Sequence, residues 1–187
     1  MHPRPVLAVI AVVLGAFSYS AAMAQSSART PKAASAFADF NERVKQYSQL
    51  QKAVPRLRST NNPKELEDRR HALAQKIQEL RMNAKQGDMF TPQVAAEIRR
   101  VILKTMRSPK ASKIRKTIQQ GEPQPDWKLT INGEYPERLP LTTMPPTLLR
   151  HLPELPKDMA YGLVGHDFVL QDTEARLVVD YIPGALP

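Results

Sequence analysis

Apolar residues recur at spacings of three and four through the first half of the chain and at spacings of two through its last quarter, which predicts helices followed by strands. Phe37, Phe40, Val44, Tyr47, Leu50 and Val54 fall on one helical stripe, so a first helix is expected over about Ala33 to Ala53, ended by Pro55. A second start is marked by Asn62 as a cap, Pro63 at the first helical position and Glu65 at a capping-box spacing. That helix is expected to reach about Gln86, with Leu66, Leu73, Ile77, Leu80 and Ala84 as its apolar stripe and Gly87 as its stop. Thr91-Pro92 repeats the start signal, and Val94, Ile98, Val101, Ile102 and Met106 predict a third helix that Ser108-Pro109 stops. Gly87 to Phe90 leaves room only for a tight corner between the two. Lys110 to Gln120 has the composition of a short basic fourth helix, with Ile114 and Ile118 as its only apolar residues.

Beyond Gly121 to Asp126 the pattern changes. Trp127, Leu129 and Ile131 alternate ahead of an Asn132-Gly133 turn, which reads as a strand and a reversal. Five prolines between Pro136 and Pro153 forbid a central strand there, although Pro146 to Leu152 allows a helical turn burying Leu148, Leu149 and Leu152. From Met159 to Ile182 the period is two. Tyr161, Leu163, Phe168, Leu170, Leu177, Val179 and Tyr181 are expected on one face of a three-stranded meander, with turns at Gly165-His166-Asp167 and Asp172-Thr173-Glu174. Val164, Val169, Val178 and Ile182 make the second face partly apolar too, so helices are expected on one side and the proline-rich segment on the other. The fold class is α+β: three amphipathic helices, with a candidate fourth, packed on a small antiparallel sheet built from the Trp127 strand and the C-terminal meander.

The extreme N-terminus stands apart from this pattern. Arg4, the apolar run Val6 to Phe17 and Ala22-Met23-Ala24 together read as a signal peptide over residues 1–24, leaving a mature chain from Gln25. A run of about a dozen apolar residues falls short of the roughly 20 that span a bilayer, so a retained anchor is the lesser alternative, and no mature stretch has transmembrane character. The chain has no cysteine, which excludes disulfides, thiolate chemistry and lipid attachment through a thiol. An exported chain without disulfides points to a bacterial periplasm or secreted compartment.

Charge is divided as sharply as hydropathy. Residues 25–121 carry 21 Lys and Arg against 8 Asp and Glu, net +13, whereas residues 122–187 carry 5 against 10, net −5. The mature chain is therefore a basic helical region, 25–121, and an acidic proline-rich β region, 122–187, expected to dock as one globular domain. Two such surfaces either face different partners or attract one another in the fold.

The corner GDMFTP, the stretch YPERLPLTTMPPTLLRHLPELP, and the strands YGLVGHDFVLQD and ARLVVDYIP resemble a group of uncharacterised exported bacterial proteins, over about residues 85–183. The resemblance implies the same exported address and brings with it no activity, cofactor or catalytic residue.

Candidate chemistry is sparse. The sequence has no G-x-S-x-G, H-E-x-x-H, P-loop or dinucleotide fingerprint, and nothing in it calls for a cofactor or metal. Glu67 and His71 share a helix face but have no evident further ligands, so a solvated face is the plainer reading. Asp167, Asp172, Glu174 and Asp180 bring four carboxylates into the meander; they read as a solvated acidic sheet edge, or else as a hydrolytic pair with Asp167 and Asp172 the least implausible choice. The strongest feature is residues 98–121, where Arg99, Arg100, Lys104, Arg107, Lys113, Arg115 and Lys116 occur without one acidic residue. Such density binds polyanions by counterion release, yet no stacking aromatics accompany it, which argues against nucleic acid. The expected function is a non-catalytic, exported envelope protein whose basic surface meets an anionic envelope component or a partner protein. A small periplasmic hydrolase using meander carboxylates is the alternative.

Overall fold

In the computed structural model, residues 31–54, 61–107, 128–135 and 144–186 are described. The proposed signal peptide, the basic stretch 110–120 and Trp127 lie outside them.

Four helices each begin on a proline: α1 (Pro31–Ala53), α2 (Pro63–Leu80), α3 (Pro92–Met106) and the single turn α4 (Pro146–Leu149). The first turn of a helix has no use for the missing N–H, and the ring presets φ, so proline selects these starting points. Asn62 caps α2 by accepting from Lys64 N at 3.0 Å, and its Nδ2 donates to Glu65 Oε1 at 3.4 Å, a side-chain pair in place of the reciprocal backbone bond of a capping box. Thr91 caps α3, its hydroxyl oxygen accepting from Val94 N. The second helix is shorter than its periodicity suggests. It ends at Leu80, where Arg81 N closes the last bond to Ile77 O, and a further turn leads to Gly87, whose φ of +90° is available to glycine at little cost.

Strands β1 (Met159–Val164), β2 (Asp167–Asp172) and β3 (Leu177–Ile182) form an antiparallel meander in the order β1-β2-β3. Of the Trp127 strand expected beside it, residues 128–135 are described, and they contribute one bridge, Glu134 with Leu177, because Ile131 and Asn132 already turn and Asn132 takes a left-handed φ of 57°. Residues 130–135 nevertheless lie against β3. Asn132 N donates to Val178 O, Tyr135 N to Arg176 O, and Val178 N to Gly133 O.

The inner face of the sheet meets the helices in one core. Phe37, Phe40, Val44 and Tyr47 of α1, Ile77 of α2 and Val94, Ile98 and Ile102 of α3 pack with Tyr161, Leu163, Phe168, Leu170 and Leu177. At its centre Phe40 stacks on Phe90 at 5.5 Å between centroids, and Phe90 and Tyr161 both contact Phe168, at 5.6 and 5.2 Å. Met144, Leu148 and Leu152 of the proline-rich segment join this same core rather than covering the opposite face. Among the described residues the outer face is covered by Leu129 and by Tyr135, the first residue of that segment, packed on Val169 and Val178; residues 136–143 lie outside the described residues.

Period two does not hold through β3. Leu170 pairs with Asp180 but Gln171 with Val178, leaving Val179 as an extra residue in a β-bulge. One extra residue exchanges the faces beyond it. Tyr181 therefore turns to the outer cluster, and Asp180 and Ile182 turn inward. Among the described residues no helix is long and apolar enough to cross a membrane.

Candidate anion-binding surface

The third helix buries Val94, Ala95, Ile98, Val101 and Ile102, which turns Arg100, Leu103, Lys104 and Arg107 outward together at helical spacing. Arg100, Lys104 and Arg107 are exposed on this stripe, and Arg107 also ends the helix through its N–H to Leu103 O. Arg99 lies at the margin, half-buried, donating at 2.9 Å to the carbonyl of Pro183. Arg100 forms a bidentate pair with Glu97, the sole acid of α3, and that hydrogen bonding raises the guanidinium pKa above its ordinary value. The structure thus brings four of the seven predicted cations to one helix. Lys113, Arg115 and Lys116 lie outside the described residues.

Sequence reasoning passed over two features of this surface, the first of them legible as an i,i+3 helical pair. Glu97 sits one residue before the acid-free stretch and neutralises part of it. Arg150, exposed at the end of α4, comes from a distant segment, and α4 packs beside α3. No local pattern links residue 150 to residue 100, so only the tertiary fold could bring α4 against α3.

The carboxylates of the meander have a different fate from the solvated edge expected of them. Asp172 and Asp180 are both 0% exposed on the inner face. Asp180 accepts from the backbone N–H groups of Gly87, Met89, Phe90 and its neighbour Tyr181, at 2.8 to 3.2 Å, so the α2–α3 corner is wrapped around its carboxylate. Asp172 Oδ1 accepts from Glu174 N and Ala175 N, which forms the β2–β3 turn, while Oδ2 accepts from Tyr47 Oη at 2.8 Å and Gln51 Nε2 at 3.0 Å, which ties that turn to α1. Burial raises the Asp172 pKa, opposed by these hydrogen bonds; burial likewise raises that of Tyr47, helped by the adjacent Asp172 charge. Arg81 stands over the Tyr47 ring at 5.1 Å and donates to Asn132 Oδ1, its own pKa lowered by burial.

Asp167 and Asp172 do not form a pair. They begin and end β2, about 16 Å apart by strand rise, whereas glycoside hydrolysis requires carboxyl groups roughly 5 to 9.5 Å apart. Asp167 is occupied in accepting from Gly184 N at 2.9 Å, and Glu174 is exposed in the next turn.

His71 stands between Glu67 and Glu134, its two ring nitrogens 3.3 Å from an oxygen of each. Because opposite edges of the ring face the two carboxylates, the three groups do not converge on one point as metal ligands must. Among the described residues no group of three or more His, Cys, Asp or Glu side chains is arranged to hold a metal ion. No protein-family model, curated protein or solved structure matches the chain.

Proposed function

We propose that the chain is a non-catalytic exported protein of the bacterial envelope that engages an anionic partner through the basic face of α3. The observation that carries this reading is the outward stripe of Arg100, Lys104 and Arg107, with Arg99 at its margin, on a helix whose opposite side is committed to the core. Export rests on the leader, with its Arg4, its apolar run and its Ala22-Met23-Ala24 motif. The buried meander carboxylates support a non-catalytic role, since each of their oxygens already accepts hydrogen bonds that build the fold.

Retention of the purified chain on immobilised polyphosphate tests the binding. Counterion release makes affinity fall steeply with salt, so retention is expected at low ionic strength and lost at high. Retention that ignores salt, or none at any salt, defeats the proposal. Recovery of a chain beginning at Gln25 from the periplasmic fraction of expressing cells tests the address; a chain of full length left in the cytoplasm refutes it.

A further inference from the structure

Apolar side chains stand within the cationic stripe, where a site for a soluble polyanion would have no use for them. Leu103 is 39% exposed between Arg100, Lys104 and Arg107, and Leu149, on the adjoining α4, is 42% exposed next to Arg150. Neither is left over from core packing. Ile102 and Leu148, their immediate neighbours in sequence, take the core positions at 1% and 2%. We infer that this combined α3–α4 face docks on an anionic phospholipid bilayer, with the cations at the headgroups and Leu103 and Leu149 entering the headgroup–acyl boundary.

The inference rests on the anionic-partner reading above and narrows it to one class. Two contributions add at such a surface, attraction of each Lys or Arg to a negatively charged leaflet and burial of apolar side chains a few ångströms deep, and helices that lie on membranes combine the two on one face. A soluble polyanion supplies the first alone, and binding to protein-free vesicles separates a bilayer from an acidic protein surface. The chain chemistry is also suited to reversible attachment: no described helix can span the bilayer, and no cysteine is present to carry a lipid.

The test is co-sedimentation of the full chain with vesicles of phosphatidylcholine alone and of phosphatidylcholine with phosphatidylglycerol, read as the ratio of binding constants so that the apolar leader contributes equally to both. The native chain is expected to favour the anionic vesicles. R100Q/K104Q/R107Q should reduce that preference about a hundredfold, from the loss of three surface charges. A polarity-sensitive fluorophore on T147C, a unique thiol in this cysteine-free chain at an exposed position of α4, reports depth and should shift to the blue on anionic vesicles only. L103S/L149S should weaken binding to the anionic vesicles about tenfold relative to the native chain, a comparison in which the leader is common to both, while leaving retention on polyphosphate unchanged, and circular dichroism confirms that each variant is folded. Binding to polyphosphate with no vesicle preference, or vesicle binding that L103S/L149S leaves intact with no fluorophore shift, overturns the bilayer inference but keeps the anionic partner. Failure to bind either vesicles or polyphosphate overturns both.

Discussion

Replacing Asp180 by alanine removes the acceptor around which the corner between α2 and α3 is folded. Four backbone N–H groups lose their partner, those of Gly87, Met89, Phe90 and Tyr181, and the bonds from Met89 and Phe90 are fully buried. A buried donor left unmade costs about 1 to 3 kcal/mol, and one that water can reach costs less. Two buried donors near 2 kcal/mol each, partly exposed donors of smaller cost, and the relief of burying a charge together put the loss at about 4 kcal/mol. That is a large share of the roughly 5 to 15 kcal/mol that stabilises a domain. With a urea m-value near 2 kcal/mol per M, the unfolding midpoint should fall by about 2 M. D180N sharpens the test. Whichever way its amide is turned, an NH2 group must face backbone donors that cannot rotate, so about 2 kcal/mol should still be lost. D172N is the matched control. Its carbonyl can keep Glu174 N and Ala175 N, the Tyr47 hydroxyl can rotate to accept, and the Gln51 amide can turn to present Oε1, which is buried without a partner. That substitution should cost no more than about 1 kcal/mol. A D180A loss below about 1 kcal/mol, or equal losses for D180N and D172N, would refute the reasoning that fixed backbone donors separate the two aspartates.

The remaining predictions concern pH, the corner glycine and the second helix. Because burial raises the folded pKa of Asp172 above its unfolded value, this group's contribution to stability is complete below about pH 4 and declines as pH rises through the folded value. The difference in unfolding free energy between the native chain and D172N, measured from pH 3 to 7, should follow that direction; a difference independent of pH contradicts it. Gly87→Ala should cost about 1 to 2 kcal/mol in a urea titration, through its φ of +90° rather than through a clash, since the nearest atom to an added Cβ is Phe90 O at 3.8 Å. On α2, Ile77→Ala should cost about 2 to 5 kcal/mol, whereas Leu80→Gln, at a 52% exposed site on the same helix, should stay within about 0.5 kcal/mol; comparable losses would mean that the helix is rotated from the orientation described.

What could be read from the residues, and what could not, follows from the range of the interactions. The stripe Phe37, Phe40, Val44 and Tyr47 was legible because a helix buries what its own period aligns, and the caps Asn62 and Thr91 were legible because a cap is settled within a few residues. The stripe assigned to α2 was only partly right. Leu73 and Ile77 meet the core, but Leu66 and Leu80 remain outside it, since α2 lies at the margin of the helical layer and presents only a short contact surface. The meander was legible in its strands and turns but not in the bulge at Val179, and a single added residue reversed the faces of Asp180, Tyr181 and Ile182. Hence Asp180, read as solvated, was buried; Asp172 is buried without help from the bulge, two residues beyond inward-facing Leu170, and Glu174 stays exposed. An acceptor that gathers N–H groups some 90 positions earlier leaves no mark in its local sequence; the glycine and aspartate of the GDMF corner show only that a corner exists there. On the surface, α3 yielded Arg100, Lys104 and Arg107 as one stripe directly from spacing, whereas Leu149 and Arg150 joined them only through packing of α4.

The hydrogen bond from Phe90 to Asp180 closes a loop of 90 residues, and its companion from Tyr47 to Asp172 closes one of 125. Contacts so distant in sequence make for slow folding, because the entropy of loop closure is lost before any bond is gained. While a chain of this kind emerges, its leading helices have amphipathic faces but neither of the carboxylates that lock them, so the first hundred residues do not make a self-sufficient folding unit. For the export proposed above such a delay would be an advantage: the fasteners are carried at the trailing end, and the molecule would stay pliable until that end had arrived.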